Sequence, residues 1–446
     1  MASRIHLRVA LVVPPYPHYP VRGLEFAHES PLACFSTIAT LLERAGASVS
    51  IFDWRGQTLD RCLEYIGLLA AGYDVCGITC FSNSYVFLTR FVPALRSEAP
   101  RMLLVLGGPL LSSCPEILLR DSGAQIGMLG EGEVTFLNLL REKVGRATDL
   151  SQLEGVCVVN DHGVIFAKRQ ETAFPLERAP FPNLSLWPSV AQKGHCRALY
   201  YEGSRGCPYT CKMCYRPFPG LRSKPADRIG KDFGRLAREY RTEFVFFTDG
   251  TFNWDVARVC AMCDAVGPSG VGWGCMARPQ GITRAIAAAM VDAGCRVVRF
   301  GVESFDNASL RGIGKGLTER EIEASVEAAL DVGLEVTCWF LVGLETETKE
   351  MIRKNLRFLD KYPVVPRPHY LIPLPGTPLG SQALESRFGG NVRRLLVYLS
   401  EEGDGRHYFS LSALPRKTTE EYYFRLRELQ AVRGRTFEEG LWYGSH

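Results

Sequence analysis

Three cysteines in one short segment constrain this chain more than any other feature of its sequence. Cys207, Cys211 and Cys214 stand at the spacing C-x3-C-x2-C. Gly206 and Pro208 make the segment an irregular loop, so the three sulfurs can converge on one inorganic cluster while a fourth metal position stays open. A structural zinc site needs four ligands, usually in two pairs, and no second pair stands nearby at that spacing. The spacing indicates an iron–sulfur site; the alternative is three buried cysteines that are close by chance.

The cysteine motif resembles that of the radical S-adenosylmethionine (SAM) enzymes. In that family three cysteines hold a [4Fe–4S] cluster, and the amino and carboxylate groups of SAM chelate the fourth iron. An electron passed into the sulfonium then yields a 5′-deoxyadenosyl radical. The resemblance implies that Cys207, Cys211 and Cys214 are the cluster ligands. It also implies an external electron donor such as a flavodoxin or a ferredoxin.

Length and composition are typical of a globular protein with more than one domain. The chain has 446 residues, of which 46% are hydrophobic and 22% are charged, and two or three domains are expected. The net charge of +4 is small for this length, and no run of five Lys or Arg residues occurs. We therefore expect no nucleic-acid partner and no anionic membrane surface. We expect a monomer that acts on a small molecule or a peptide.

The amino terminus and the cysteine usage predict a cytoplasmic protein. The first apolar stretch, about seven residues that end at Pro14 and Pro15, is too short for a signal-peptide core. The least charged long segment, residues 65–89, contains Asp74 and three glycines, so we expect no membrane span. Fifteen cysteines without a secretory signal indicate reduced thiols with a metal-binding subset.

Residues 1–145 show the alternation of a doubly wound, Rossmann-like parallel sheet. Short apolar runs predict strands at 7–13, 48–52, 74–79, 102–106 and 125–129. Apolar residues at helical spacing predict helices at 31–45, 84–97 and 133–142. Five strands with helices between them favour an α/β domain with ligands beyond the carboxyl ends of its strands.

The loops that follow these strands are rich in glycine and small polar residues, which let a backbone approach a ligand. A Gly-Gly-Pro turn at 107–109, followed by Gly-Glu-Gly-Glu at 130–133, is similar to the cobalamin-binding domain that precedes many radical SAM cores. The resemblance implies cobalamin contacts from Pro15, Tyr16, Ser82, Asn83, Gly107, Gly108, Pro109, Gly130, Glu131 and Gly132. The alternatives are tight turns that bind nothing, or a domain that has kept the fold and lost the ligand.

One departure from many cobalamin proteins concerns the lower face of cobalt. The motif D-x-H-x-x-G, whose histidine ligates cobalt in those proteins, is absent, because neither His18 nor His28 has the flanking Asp and Gly. We expect the lower face of a bound cobalamin to lack a histidine ligand.

Residues 146–194 predict a connector. Apolar runs at 156–159 and 164–167 favour a hairpin turning at residues 161–163, where His162 is interpreted as a turn residue. Pro175, Pro180, Pro182 and Pro188 then exclude a long helix.

Residues 195–387 predict a partial (β/α)6 barrel, and residues 388–446 a helical cap. Strands are expected at 198–203, 244–248, 271–276, 297–302, 335–341 and 367–373. The clearest helix, at 318–331, opens with the capping box Thr318-x-x-Glu321. Chemistry in such barrels lies at the carboxyl ends of the strands, and the cysteine loop follows the first strand. The cap, with helices at 392–399 and 420–432, is expected to close the barrel mouth.

Other strand ends carry the residues that the resemblance matches to SAM. They are Met213, Asp249, Gly250, Arg278, Glu303, Ser304, Gly343 and Pro375. An arginine suits a bidentate contact to a carboxylate or a ribose, and Glu303 matches the family position that binds the ribose hydroxyls. Asp249 and Gly250 depart from the family's Gly-Gly-Glu pattern. For Arg278 and Glu303 the alternative is an ordinary salt bridge.

Two further patterns are interpreted as structural. Residues 312–316 are not a phosphate-binding loop, since Gly316 stands where Ser or Thr would bind magnesium. Cys260 and Cys263 fall in a helical run at 256–266 without a second cysteine pair nearby, which favours ordinary helix residues over a second cluster.

Together these features resemble the cobalamin-dependent radical SAM enzymes over about 370 residues. The resemblance implies a methyltransferase that uses a [4Fe–4S] cluster, SAM and cobalamin to methylate an unactivated carbon of a small specialised metabolite or a peptide residue. No catalytic group beyond the cluster ligands is indicated, and no nucleophile–base pair suggests a polar mechanism. The alternatives are a cobalamin-dependent rearrangement, cyclisation or oxidation without methyl transfer, and a non-catalytic iron–sulfur or corrinoid sensor.

Overall fold

Two parallel sheets form the framework of the molecule. The computed structural model describes residues 5–15, 30–145, 150, 153–160, 163–166, 173–216, 220–403 and 405–433. Tyr16, His18, His28 and His162 lie outside this range. The predicted α/β class, with a Rossmann-like domain, a barrel of parallel strands and a helical carboxyl-terminal region, is confirmed.

The first sheet has seven strands in the order β2-β1-β3-β4-β5-β6-β7. They are β1 (Arg8–Val13), β2 (Ser48–Asp53), β3 (Val75–Thr79), β4 (Leu103–Gly107), β5 (Ile126–Met128), β6 (Val156–Asn160) and β7 (Gly163–Phe166). The first five are parallel and match the five predicted runs. Chain crossovers leave β1 in both directions, so the strand order reverses there and opens a crevice for a ligand.

The predicted hairpin is present as β6 and β7, and it is part of the first sheet. Strand β6 pairs antiparallel with β5, and β7 pairs antiparallel with β6. The sheet therefore extends past the predicted domain boundary at residue 145. The predicted boundaries 1–145, 146–194, 195–387 and 388–446 stay predictions.

Helices cover both faces of this sheet. They are α1 (Ala33–Arg44), α2 (Leu59–Leu63), α3 (Ile66–Gly72), α4 (Tyr85–Glu98), α5 (Pro109–Ser113), α6 (Pro115–Ser122) and α7 (Gly132–Gly145). Between residues 173 and 194, the described proline-rich part of the connector forms the short helix α8 (Pro188–Lys193) and two single turns, at Leu176–Arg178 and Leu184–Leu186. Trp187, which is fully buried, donates its indole N–H to the Ser36 hydroxyl at 2.8 Å, so the connector is packed onto the first domain.

The second sheet has six parallel strands in the order β8-β11-β12-β13-β14-β15. They are β8 (Ala198–Tyr201), β11 (Phe244–Phe247), β12 (Gly272–Ala277), β13 (Cys295–Glu303), β14 (Glu335–Val342) and β15 (Val365–Tyr370), and a small antiparallel pair, β9 (Ser204–Arg205) and β10 (Arg222–Ser223), follows the first of them. All six predicted strands are present. Strand order follows chain order, as in a barrel opened along one side.

The helices of this part lie on the outside of the sheet. They are α9 (Ala226–Tyr240), α10 (Val256–Val266), α11 (Arg284–Asp292), α12 (Asn307–Gly312), α13 (Glu319–Asp331), α14 (Lys349–Lys361), α15 (Pro378–Phe388), α16 (Val392–Glu401) and α17 (Arg416–Val432). The capping box of α13 is formed by Thr318 and Glu321, as predicted. Cys260 and Cys263 lie in α10, in agreement with their interpretation as helix residues.

Side chains alternate between two environments along the barrel strands, as the period of two requires. On β14, Val336, Cys338, Phe340 and Val342 belong to the main hydrophobic core under the helices. The intervening residues face the lumen of the barrel, and on β8 and β11 the lumen side carries a separate apolar cluster of Ala198, Phe244 and Phe246 with Val297.

The carboxyl-terminal region touches both parts of the molecule. Helix α16 packs against α4 of the first domain, and α17 packs against β15 at the edge of the second sheet. Residues 405–411 between them run along the ends of β14 and β15, where Tyr370 N–H donates to Gly405 at 2.7 Å and Leu411 N–H to Gly343 at 2.8 Å. The described part of the predicted cap thus lies along the β14 and β15 side of the barrel mouth. Among the described residues no helix is long and apolar enough to cross a bilayer.

Candidate active site

The cysteine loop begins at a position that only glycine can occupy. Gly206 has φ +88°, and a Cβ atom there would collide with the carbonyl oxygen of Gly220. A Cβ on Gly250, at the end of β11, would lie 3.1 Å from the carbonyl oxygen of Gly206 and 3.6 Å from Cβ of Cys207. The segments before and after the cysteines and the end of β11 therefore form one close-packed surface.

Two of the three cysteines on this loop influence each other, and the third lies against a threonine. The neighbouring Cys214 thiol lowers the pKa of Cys211, which in turn raises that of Cys214; Lys315 and Arg278 lower the pKa of Cys211 further. Cys207 Sγ lies 3.3 Å from Oγ1 of Thr251. Within the described ranges, no three Cys, His, Asp or Glu side chains converge closely enough to hold a single metal ion.

The middle of the loop is fixed by backbone contacts to two other strand ends. Lys212 N–H donates to the carbonyl of Ile313 at 2.9 Å, and its own carbonyl accepts from Leu379 N–H at 3.2 Å. The half-buried side chain of Met213 packs against an apolar cluster that includes Leu344, Leu371 and Leu379. The loop is thereby held between the segment after β13 and the start of α15.

Arg278, directly after β12, brings a cation close to the cysteines. The Arg278 guanidinium lies 3.8 Å from the centre of the Tyr209 ring and donates to the carbonyl of Lys315. Its buried Nε has no hydrogen-bond partner among the described residues. An orphaned donor in a buried cation favours a ligand contact over the salt bridge that the sequence left open.

Glu303 is held in a conformation that residues other than glycine avoid. Its φ is +66°, and the pairing of β13 with β14 shifts register between Gly301 and Glu303. The Glu303 carboxylate accepts from Lys315 Nζ at 2.8 Å. Such strain costs about 1–3 kcal/mol and clusters at functional sites. Lys315, in the segment that does not match a phosphate-binding loop, is therefore a neighbour of the predicted ribose-binding residue.

Asp249 has internal partners. Its buried carboxylate accepts from the Gly203 N–H at 2.8 Å, the Ser204 hydroxyl at 2.6 Å and Arg258 Nη2 at 2.8 Å. Burial raises the pKa of Asp249, and Arg258 opposes that rise. A contact from this carboxylate to SAM would compete with three donors, whereas Gly250 lines the cavity beside the cysteines.

Ser304 and Gly343 lie under neighbouring segments. Ser304 is fully buried 3.5 Å from the Asn355 side chain, which donates to the Tyr422 hydroxyl at 2.7 Å. Gly343 has φ +90°, and a Cβ there would lie 2.5 Å from the carbonyl oxygen of Phe409. Pro375 is half-buried next to Gly376, which lines the cavity. The SAM contacts of these residues stay predictions.

A polar cavity of about 630 Å³ opens beside the cysteine loop. Cys207, Cys214 and Gly250 line it together with Arg205 and Tyr215. The three thiols, with cations that lower the pKa of Cys211, suit a cluster that binds thiolates. A multi-iron cluster lies between its ligands, so its thiols need not meet at one point as ligands of a single ion do. The residues present therefore fit a cluster.

A second cavity, of about 170 Å³, lies at the carboxyl ends of β3, β4 and β5. Its wall is mostly apolar, with Leu11, Phe35, Ile38 and Phe136 among the lining residues. Of the predicted cobalamin contacts, Gly107, Gly108, Pro109, Gly130, Glu131 and Gly132 line it. Pro15, Ser82 and Asn83 do not, and Thr79 and Phe81 lie there instead. A narrow apolar slot between glycine turns fits a flat aromatic group such as the base of cobalamin.

Ser112 joins the two glycine turns of this cavity. Its hydroxyl donates to the carbonyl of Gly108 at 3.1 Å and accepts from Gly130 N–H at 3.0 Å. Gly108 has φ +103°, and a Cβ there would lie 2.9 Å from both the Cys80 nitrogen and Oγ1 of Thr79. The turn can therefore be made only by glycine.

Arg205 links the two cavities, and its side chain lines both. It is 1% exposed and lies 2.5 Å from Glu133, 2.9 Å from Glu202 and 3.5 Å from Glu131. Arg222 also pairs with Glu131. Burial raises the pKa of Glu133, and Arg205 opposes that rise. The residue before Gly206 is thus held by the Gly-Glu-Gly-Glu segment of the first domain.

Tyr215 makes a second link on the other side of the cysteines. The hydroxyls of Ser113 and Ser112 lower the pKa of its phenol against the dominant effect of burial, which raises it. A Cβ on Gly376 would lie 3.6 Å from the Tyr215 ring and 3.3 Å from the Ser113 hydroxyl. The cysteine loop is therefore attached at both ends to the turns of the second cavity.

Arg205, Ser112 and Tyr215 were not identified from the sequence. Arg205 and Tyr215 flank the cysteine motif, and this adjacency is the only sequence feature that could have suggested them. Their partners are distant along the chain, with Arg205 and Glu133 72 positions apart, so these contacts could be found only from the fold.

Comparison with known proteins identifies two domains in the chain. The model of the Radical SAM superfamily matches residues 201–359, and the model of the B12 binding domain matches residues 23–140. The chain belongs to the cobalamin-dependent radical SAM enzymes. The three predicted cofactors, a [4Fe–4S] cluster, SAM and cobalamin, are confirmed by these two domains.

Among the relatives is the uncharacterized methyltransferase PH0819 of Pyrococcus horikoshii, 26% identical over 323 residues, which are 70% of this chain and 69% of that protein. Another is the anaerobic magnesium-protoporphyrin IX monomethyl ester cyclase of Rubrivivax gelatinosus, 24% identical over 77% of this chain and 64% of that protein. The chain thus spans about two thirds of the length of these curated relatives. The radical SAM methyltransferase TsrM from Kitasatospora setae shares the fold, with a TM-score of 0.71, 18% identity and coverage of 94% of this chain and 88% of that one.

Proposed function

We propose that this enzyme is a methyltransferase that acts on an unactivated carbon of a small specialised metabolite or a peptide residue. The observation that carries the proposal is the shared wall of the two cofactor cavities. Arg205 lines both, so a radical formed on one side and a methyl carrier on the other would lie in adjacent cavities. The methyltransferase name of the Pyrococcus horikoshii relative supports the same reaction class.

The protein's own residues would bind, orient and exclude water. Cys207, Cys211 and Cys214 would hold the cluster, and Glu303 with Arg278 would bind the polar groups of SAM. When bound, the cluster with SAM supplies a 5′-deoxyadenosyl radical and cobalamin carries a methyl group. The apolar slot of the first domain would hold cobalamin and keep water from it.

A flavodoxin or a ferredoxin would supply the electron, and the chain would act as a cytoplasmic monomer. The small net charge of +4 gives no reason to add a nucleic-acid or membrane partner.

A second candidate reaction is a radical cyclisation without methyl transfer, because the Rubrivivax gelatinosus relative is named a cyclase. Both reactions would need the same cofactors, so the site residues do not separate them.

Labelled SAM distinguishes the two reactions. The reconstituted enzyme, a reducing system and trideuteriomethyl-SAM are incubated without oxygen with a metabolite and peptide extract. We expect a compound that gains a trideuteriomethyl group. The Cys211→Ala variant is the negative control, and Cys260→Ser, altered in helix α10 away from the motif, should behave like the wild type. A substrate that is consumed to give a product without the label would contradict methyl transfer and support cyclisation.

A further inference from the structure

The two glycine turns of the first domain's cavity lie just beyond the point where their strands stop pairing. One turn, residues 107–109, stands at the end of β4, and the other, residues 130–132, follows β5. The parallel pairing of β4 with β5 ends at Leu106 and Gly127. Contacts other than strand pairing must therefore fix the distance between the two turns.

The first turn is tied to the sheet on the side away from β5. Cys80, which follows β3, donates its backbone N–H to the carbonyl of Gly107 at 2.6 Å, and its own carbonyl accepts from the N–H of Leu110 at 2.9 Å. Strand β3 lies on the opposite side of β4 from β5 in the strand order. These bonds therefore fix the first turn and leave its link to the second turn to another group.

The hydroxyl of Ser112 supplies that link. It donates to the carbonyl of Gly108 at 3.1 Å and accepts from the N–H of Gly130 at 3.0 Å. A serine hydroxyl has one proton and two lone pairs, so one oxygen can make both bonds at once. The backbone N–H of Ser112 donates to the same Gly108 carbonyl at 3.1 Å, and Ser112 itself lines the cavity. The position of the first turn therefore fixes that of the second through one oxygen atom.

Both turns need such a restraint because they are built on glycine. Gly108 has φ +103° and Gly130 has φ +74°, conformations that other residues rarely adopt. Glycine also has more backbone freedom than any other residue, so a glycine turn keeps one shape only where neighbouring contacts restrict it. The Ser112 hydroxyl contacts one glycine in each turn, and it therefore restrains both turns at their most flexible residues.

We propose that Ser112 is a positioning residue for cobalamin, whose hydroxyl holds the two glycine turns at the separation that the cofactor needs. The proposal rests on the proposed function, because it takes this cavity as the cobalamin site. Turns that are restricted in advance lose less conformational freedom when a ligand binds, and this smaller loss gives a higher affinity.

Loss of this hydroxyl should reduce cobalamin affinity more than folding stability. Ser112 and Gly130 both line the cavity, so in a cobalamin-free Ser112→Ala variant water can accept from the N–H of Gly130 in place of the hydroxyl. A cofactor that fills the cavity excludes this water and leaves the N–H without an acceptor, so the penalty arises on binding. A serine with a structural role alone would show the opposite pattern, a loss of stability with unchanged affinity.

Cobalamin titrations of the full-length protein, reconstituted with its cluster and kept anaerobic, test the proposal. Binding of hydroxocobalamin is followed by its visible spectrum, and the melting temperature of the cobalamin-free protein is measured separately. We expect Ser112→Ala to bind cobalamin about tenfold or more weakly, with a melting temperature within about 2 °C of the wild type. Wild-type affinity in Ser112→Ala would overturn the proposal, whatever its melting temperature.

Ser122→Ala is the matched control. Ser122 makes the same two kinds of bond elsewhere in the domain, since its buried hydroxyl donates to the carbonyl of Leu118 at 2.6 Å and accepts from the N–H of Ala124 at 3.3 Å. It is not among the residues that line the cavity, so Ser122→Ala should melt at a lower temperature and bind cobalamin as the wild type does. An equal loss of affinity in both variants would contradict the proposal.

The same titrations separate this inference from the proposed function. If the wild type itself binds no cobalamin, the proposed function fails. If the wild type binds cobalamin and Ser112→Ala binds it equally well, only the role of Ser112 fails.

Discussion

The two cofactor cavities are built differently. The cavity of the first domain is small and apolar, and its glycine turns are already fixed by Ser112 and by buried ion pairs. The cavity at the cysteine loop is larger and polar, and two of the three thiols shift each other's pKa while the third lies against Thr251. Packing alone can shape a slot for a flat ring, whereas thiols take their final places around a metal, since metal binding and local order are coupled.

The cysteine substitutions should give the largest effect: they should abolish cluster binding and leave cobalamin binding intact. Each of the variants Cys207→Ala, Cys211→Ala and Cys214→Ala should reduce bound iron to background and stop formation of 5′-deoxyadenosine. The reason is that the cluster would have three protein ligands and would need all of them. Cobalamin binding should persist. Iron analysis and a cobalamin titration check both halves of this expectation. Cys260→Ala is the matched control and should keep its iron; iron retained by the Cys211 variant would refute the ligand assignment.

Arg205→Gln should damage both cavities. Removing a buried cation takes the charge partner from Glu133 and Glu202, whereas Glu131 keeps Arg222, and losing one partner of a buried pair costs about 3–5 kcal/mol. We expect cobalamin affinity to fall about a hundredfold and the electron paramagnetic resonance spectrum of the reduced cluster to change.

Two variants test the explanation for Arg205. The double variant Arg205→Gln/Glu133→Gln should recover part of the cobalamin affinity, because one of the stranded carboxylates is then neutral. Arg235→Gln, which breaks an exposed pair with Glu239, should change little. Loss of cobalamin with an unaltered cluster spectrum would show that the two cavities are independent.

Asp121→Asn should have the smallest effect, a loss of stability, and should alter cofactor binding in neither cavity. Asp121 pairs with Arg393 at 2.7 Å, joining helix α16 to the first domain, and this hydrogen bond lowers the pKa of Asp121. A lowered folded pKa adds stability that is fully present above the unfolded value of 3.8 and is lost as pH falls through the folded value.

Urea unfolding at several pH values measures this contribution. Asp121→Asn should be less stable than the wild type at pH 7, and the two should converge towards pH 2. The exposed Asp60→Asn serves as the control. A constant difference between wild type and Asp121→Asn across this range would contradict the charge-based explanation.

Local features of this protein could be predicted from its sequence. Strand periodicity, the capping box of Thr318 and Glu321, and the cysteine spacing each depend on residues a few positions apart, so the strands and the ligand set were predicted before the fold was known. The hairpin β6–β7 was also predicted, but its pairing with β5 was not, because register with a distant strand is decided by the whole sheet.

The contacts that arrange the site depend on residues far apart. Asp249 was interpreted as a SAM contact from its place after a strand, yet its carboxylate is surrounded by donors from Gly203, Ser204 and Arg258. The pair of Arg205 and Glu133 spans two domains. Such contacts depend on tertiary structure and leave no pattern in a single sequence.

The position of Arg205 has a thermodynamic consequence. One guanidinium lines both cavities, so a ligand that moves it in one cavity would alter the affinity of the other for its own ligand. Linkage requires the effect to be reciprocal: the factor by which cobalamin changes SAM affinity must equal the factor by which SAM changes cobalamin affinity. The order in which the protein binds its cofactors would then change the binding free energy of each step and leave the sum of these free energies unchanged.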